Sequence, residues 1–214
     1  MSPNTFDPQT ILNFYTAAEK LKSVMRHSWL SNGERQESVA EHTWMMGLLA
    51  MILLPHVDKK LDQQKVLRMI IIHDLAEAVT ADMPVWEGQE NKVAKQEAEE
   101  QAIVEMLAKL DDSTAQDLYA VWKEYEDRVS DEAHFVKLID TFDVVAQHNT
   151  APIESFDDND YLWHLSPLQD AFFDSDPNMR KLKDALDEWS IKKVGNAGNL
   201  DKLDQAELKK RLRD

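Results

Sequence analysis

Apolar residues along the chain recur at intervals of three and four rather than alternating, and this spacing predicts helices almost throughout. The first spans about residues 8–25, with Ile11, Leu12, Phe14, Tyr15, Ala18 and Leu21 on one face. A second is expected over about 39–54. It opens on Ser38-Val39-Ala40-Glu41, a capping box whose serine and glutamate satisfy free backbone N–H groups, and Pro55 ends it. A third covers about 62–79, with Val66, Leu67, Ile70, Ile71 and Leu75 inward. A fourth, over about 87–110, carries a narrow apolar stripe (Val93, Ile103, Met106, Leu107, Leu110), so one of its faces should be solvated. Helices over about 114–128 and 131–148 follow, the latter with Ser130 as its N-cap. Residues 150–167 are polar and read as irregular. Asp176-Pro177 opens another helix to about residue 189. Beyond 192 the chain is polar and is broken by Gly195, Asn196, Gly198 and Asn199, with a short or frayed helix over 199–213. The pattern describes an all-α helical bundle: a single domain over residues 1–191, extra helices at its C-terminal end, and a polar tail over 192–214.

Composition narrows the function classes. A chain of 214 residues buries roughly 70% of its unfolded surface and builds a core without covalent staples. It has no cysteine, which excludes disulfides, thiolate metal sites and a cysteine nucleophile. The start, MSPNTFDPQT, lacks the basic and apolar regions of a signal peptide, and no apolar run approaches the length of a membrane span. A cytoplasmic protein is expected. The net charge of −16 argues against nucleic acid, because such binding depends on Lys and Arg displacing counterions from phosphates. A small anionic substrate remains compatible if the site carries its own positive charge, such as a divalent metal with one or two arginines.

The candidate chemistry lies on three helices and the loops beside them. His73-Asp74 sits late in the third helix, a dipeptide that a chain this rich in aspartate also produces by chance. His42 opens the second helix. Asp140 lies within Phe135, Val136, Leu138, Ile139 and Phe142, and an aspartate in such surroundings is seldom buried unless paired or bound to metal. Taken singly, each has an ordinary explanation: His42 as a cap-region residue, Asp140 as a salt-bridge partner. Together they offer the N/O donors that a hydrolytic divalent ion requires. Glu77, one turn beyond the His-Asp pair, is placed to orient a water or accept its proton. Asp82 is a second acid/base candidate, a contact for a substrate hydroxyl, or a turn former. Upstream, Arg26 and Arg35 are suited to phosphate, and Trp29 to stacking on a planar base or plugging a core edge.

In order and spacing these segments resemble the HD-domain 5′-deoxynucleotidases. They are Arg26-His27-Ser28-Trp29, Glu37-Ser38-Val39-Ala40-Glu41-His42, His73-Asp74-Leu75-Ala76-Glu77 with Asp82, and Phe135 to Asp140, and the likeness covers about residues 8–150. The resemblance implies a helical HD domain with one divalent ion (Mn, Co, Mg, Zn or Fe) on His42, His73, Asp74 and Asp140. It implies that Glu77 acts on the attacking water, with Arg26 toward phosphate, Trp29 on the substrate side and Asp82 near the sugar. The implied substrates are (deoxy)nucleoside 5′-monophosphates and the implied assembly is a homodimer. In bacterial members the Arg and Trp are adjacent, whereas here two residues separate them. Two other readings stay open. One is an HD hydrolase of guanosine tetraphosphate or of nucleoside triphosphates; a cyclic-dinucleotide enzyme is disfavoured because no Gly-Tyr-Pro follows the HD pair. The other is a non-catalytic nucleotide-binding domain.

Overall fold

The computed structural model describes residues 7–82 and 92–212 of the chain. Eleven helices and one short hairpin are present among them. In chain order these are α1 (Pro8–Ala18), β1 (Met25–Trp29), β2 (Gln36–Ser38), α2 (Val39–Leu53), α3 (Gln63–Ile72), α4 (Glu77–Thr80), α5 (Lys92–Leu107) and α6 (Asp112–Asp127). There follow α7 (Asp131–Thr150), α8 (Asp158–His164), α9 (Pro167–Phe173), α10 (Pro177–Asn196) and α11 (Gln205–Arg211). The expected start of the fourth helix, residues 87–91, lies outside the described residues, as does residue 213 of the expected terminal helix.

The central helix is α7, which packs against α2, α3, α6, α9, α10 and β1. Phe135, Val136, Leu138 and Ile139 are buried on it. They join Met46 and Ala50 of α2, Met69 and Ile70 of α3, Ile103 and Met106 of α5, and Trp122 of α6 in the main core. The capping box at Ser38 and Glu41 forms as the sequence indicates and fixes the start of α2 at Val39.

Four expectations are corrected. The first helix stops at Ala18, tightens into a 3-10 turn over Glu19–Lys22, and gives way to β1. The hairpin closes where Leu30 N–H donates to Arg35 O and Gly33 N–H to Leu30 O. Gly33 is held at φ +69° there, a conformation in which side chains are strained. Second, residues 62–79 are two helices. His73 Nδ1 lies 2.7 Å from Ile70 O, so it takes the carbonyl that the next helical N–H would use. The following turns close on three-residue bonds, Leu75 N–H to Ile72 O and Glu77 N–H to Asp74 O. Ile71, expected inward, is 70% exposed. Third, the segment read as irregular contains α8, started by a second capping box between Asp157 and Asp160. Fourth, the helix expected to end near residue 189 runs on to Asn196. The tail then packs back: Leu203 and Leu208 are buried with Tyr161, Leu165 and Val194. Arg211 bonds Asp170 of α9.

No helix among the described residues is long and apolar enough to cross a membrane.

Candidate metal centre

The break between α3 and α4 brings the His73-Asp74 pair face to face with α2 and α7. His42 Nε2 is 3.3 Å from Asp140 Oδ1 and 3.9 Å from Asp74 Oδ2. His73 Nε2 is 3.0 Å from the same Asp74 oxygen. His42, His73 and Asp140 each present one donor atom within 4.8 Å of the others. These separations lie around the ~3.0–3.4 Å edge that octahedral or tetrahedral ligands at about 2.1 Å from one ion would have.

The tautomers suit a cation. His73 Nδ1 faces a carbonyl, so it must carry the proton and leave Nε2 with a lone pair. His42 Nδ1 lies 2.7 Å from Asp143 Oδ2 and is held the same way. Both Nε2 atoms are buried and lack a hydrogen-bond partner. A buried imidazole whose far nitrogen is tied to a carboxylate or carbonyl is the usual arrangement of a metal-ligating histidine. The residues present therefore fit a divalent ion held by His42, His73, Asp74 and Asp140.

Electrostatics agree with a site built for positive charge. Burial pushes the Asp74 carboxyl up, but His73, Arg26 and His42 outweigh it and hold it below the usual carboxylate range. Burial likewise opposes ionisation of Asp140, and Lys137 with the two histidines overcomes it. Burial and the charge of Arg26 depress His42, yet Asp140 and Asp143 carry it to about 9. Glu77 is pushed up to about 10, first by burial and then by Asp74 and Asp82. The three-residue turn explains that neighbourhood, because residues three apart eclipse in it and Glu77 comes to stand beside Asp74. Glu77 Oε2 is buried with no hydrogen-bond partner. Asp82 is raised by burial and faces Arg26 and Asp74. It follows Ala81, whose φ of 64° and ψ of 163° lie in a region that normally admits only glycine.

Arg26 leans over this group from β1. Its Nη1 is 3.3 Å from Asp74 Oδ2 and its Nε is 3.9 Å from Glu37 Oε2. Arg35 is placed elsewhere: it pairs with Glu41 at 2.8 and 2.5 Å on the exposed side of the hairpin. Trp29 is half-buried at the end of β1, and its carbonyl accepts from Gln147 Nε2 at 2.6 Å. No hydrogen bond among the described residues ties its ring to the centre.

Four neighbours escape sequence reasoning. Asp143 anchors His42. Glu37, buried and raised to about 7 by burial and by Asp143, backs Arg26. Tyr125 OH donates to Asp140 Oδ2 at 3.4 Å, and Lys137 Nζ reaches the same oxygen at 2.7 Å. The signal for Asp143 and Lys137 was their three-residue spacing from Asp140. Glu37 stood in the Glu37–His42 segment without an assigned role, and Tyr125 carried no signal.

A family model described as HD domain matches residues 18–164. The 5′-deoxynucleotidase HDDC2 of Dictyostelium discoideum is 31% identical over 142 residues, covering 64% of this chain and 74% of its own. The human protein of the same name is 31% identical over 140 residues, covering 65% and 67%. The fold is similar to that of a predicted metal-dependent phosphohydrolase from Magnetospirillum magnetotacticum, with a TM-score of 0.71 and 22% identity over 86% of this chain and 95% of that one.

Proposed function

The chain belongs to the HD-domain family, with the 5′-deoxynucleotidases as its relatives, and we propose that it is a metal-dependent phosphohydrolase removing phosphate from (deoxy)nucleoside 5′-monophosphates. One observation carries this reading. Two buried imidazoles, each fixed through Nδ1, direct their Nε2 atoms with Asp74 and Asp140 toward one point, beside Glu77 and under Arg26.

A divalent ion bound there supplies the charge that acidifies water and polarises a phosphoryl oxygen. Glu77, ionised once a cation stands beside it, orients the attacking water and takes its proton. Arg26 neutralises the phosphate as charge shifts toward the leaving oxygen. Asp82, close to both, contacts the sugar or returns a proton to the departing alkoxide. The products are a nucleoside and orthophosphate. A lone arginine over the centre suits a monophosphate better than a triphosphate, whose extra charge calls for more cations. Arg35 is no part of this assignment because Glu41 holds it. Trp29 stays a candidate for the base side only.

A homodimer fits the same reading. Trp44, Leu48, Met51 and Ile52 are exposed on α2 at helical spacing and form one apolar stripe. A chain without cysteine that works on free nucleotides suits the cytoplasm.

The test is orthophosphate release from a panel of nucleoside monophosphates with Mn²⁺, Co²⁺, Mg²⁺ or Zn²⁺. Loss of the proton acceptor in Glu77→Gln should lower the rate by roughly 10²–10⁴-fold. No release with any metal, or an undiminished Glu77→Gln variant, refutes the assignment.

A further inference from the structure

A second group of histidines and aspartates lies on the other side of β1 from the centre just described. His27 comes from β1, His148 from the last turn of α7, and Asp157 and Asp160 from the start of α8. His27 Nε2 is 3.2 Å from Asp160 Oδ2 and 3.7 Å from Asp157 Oδ2. His148 Nδ1 is 3.5 Å from Asp160 Oδ1.

We propose that His27, His148, Asp157 and Asp160 form a second, structural metal site that takes Zn²⁺ or a similar first-row divalent ion.

Three observations support it. First, the α8 capping box uses only part of each carboxylate. Asp157 Oδ1 accepts from the N–H groups of Asn159 and Asp160, and Asp160 Oδ2 accepts from Asp157 N–H. That leaves Asp157 Oδ2 and Asp160 Oδ1 for another partner. Second, Asp160 Oδ1 and His148 Nδ1 are buried polar atoms with no hydrogen-bond partner, on residues only 1% and 4% exposed. Leaving such atoms unmatched costs about 1–3 kcal/mol each, and one cation between them satisfies both. Third, the spacing is right. Tetrahedral ligands at about 2.0–2.1 Å from Zn²⁺ stand roughly 3.3–3.4 Å apart, and the separations of 3.2, 3.7 and 3.5 Å lie around that edge, with Asp160 offering Oδ2 toward His27 and Oδ1 toward His148. His27, Asp157 and Asp160 already present donors within 4.8 Å of one another, with His148 adjoining through Asp160.

Charge and protonation agree. Two carboxylates balance a divalent ion, and its binding would displace the proton that the Asp160 hydrogen bond favours on His27. Burial pushes His148 down to about 4, so its ring is neutral at ordinary pH and its lone pair is available. The donor set is all nitrogen and oxygen, as zinc accepts. The site would clamp β1 to α7 and α8. Since Arg26 adjoins His27 on β1, the clamp would also hold the strand that carries Arg26 over the first centre.

The experiment counts metal. Full-length protein is stripped with chelator, reloaded with Zn²⁺, freed of excess ion and analysed by atomic emission. Two equivalents per chain are expected. Asp140→Asn should retain one, and His27→Ala/Asp157→Asn should retain the other; asparagine keeps the α8 cap, since it caps as well as aspartate. Zn²⁺ should raise the melting temperature of Asp140→Asn but lose that increment when the double change is added. If the double variant unfolds, His27→Ala alone in the Asp140→Asn background serves, and it should drop from one equivalent to none. One equivalent in the unaltered protein, none in Asp140→Asn, or two in the double variant overturns the proposal and leaves the cluster as a His27–Asp160 ion pair.

Discussion

Asp143 never reaches the ion in this arrangement, yet its removal should weaken metal binding. Its Oδ2 lies 2.7 Å from His42 Nδ1, and both residues are almost wholly buried. In Asp143→Ala the imidazole loses the acceptor that fixes its tautomer and orientation. The buried Nδ1–H is then unpaired, at a cost of about 1–3 kcal/mol in stability. Loss of such an outer partner usually weakens metal affinity by roughly 10–100-fold, or about 1.4–2.7 kcal/mol. Asp143→Asn separates the two contributions. Its amide oxygen still accepts from Nδ1, so stability should recover, while loss of the negative charge should keep affinity below that of the unaltered protein. The assay is competition for Mn²⁺ or Zn²⁺ against a chromogenic chelator of known affinity, run beside thermal unfolding in chelator. A purely structural role would lower the melting temperature and leave the affinity of the folded molecules unchanged. Affinity within twofold of the unaltered protein in Asp143→Ala would refute the reasoning.

Two further outcomes follow from the fold. Gly33→Ala should lose about 1–3 kcal/mol, because Gly33 sits at φ +69° and an added Cβ would stand 2.8 Å from Pro152 Cγ; chemical denaturation measures it, and an unchanged midpoint would contradict the turn geometry. Asp170 is opposed by burial but held below its ordinary value of 3.8 by Arg211 and Arg180. A depressed carboxylate stabilises the fold above the unfolded value and ceases to do so as pH falls through the folded one, so Asp170→Asn should lower the melting temperature at pH 7 and converge with the unaltered protein as pH falls below the ordinary aspartate value.

How much of this was legible in the sequence depended on whether a residue's partner was local. The capping box placed His42 at a helix start because Ser38 and Glu41 lie within four residues of it. Asp140 declared itself as an acid inside an apolar run. The division of α3 from α4 did not, since no glycine or proline marks it; it arises when the His73 ring captures the Ile70 carbonyl. The hairpin was hidden because Met25 to Trp29 lack the alternation of a half-buried strand. Arg35 looked like a phosphate ligand by type alone, and only the structure shows Glu41 occupying it. The second cluster was the least visible, as His27 and Asp160 stand 133 residues apart.

The arrangement of α7 explains why so much chemistry gathers there. Asp140, Asp143 and Gln147 follow one another at helical spacing on one side of the helix, and His148 borders Gln147 there. Along that side they meet the metal centre, His42, the carbonyl of Trp29 and Asp160 in turn. The rest of the helix is packed by Phe135, Val136, Leu138 and Ile139, so its position is set by the core rather than by these polar contacts. A rigid helix of this kind is the precondition for ligand geometry held to within about 0.5 Å. It also imposes a cost: a polar group on a helix buried on nearly every side must find a partner or destabilise the fold. Asp140 finds Lys137 and Tyr125, Asp143 finds His42, and Gln147 finds a backbone carbonyl. His148 Nδ1 alone on this side lacks a hydrogen-bond partner among the described residues, and that is the physical reason for placing a cation between it and Asp160.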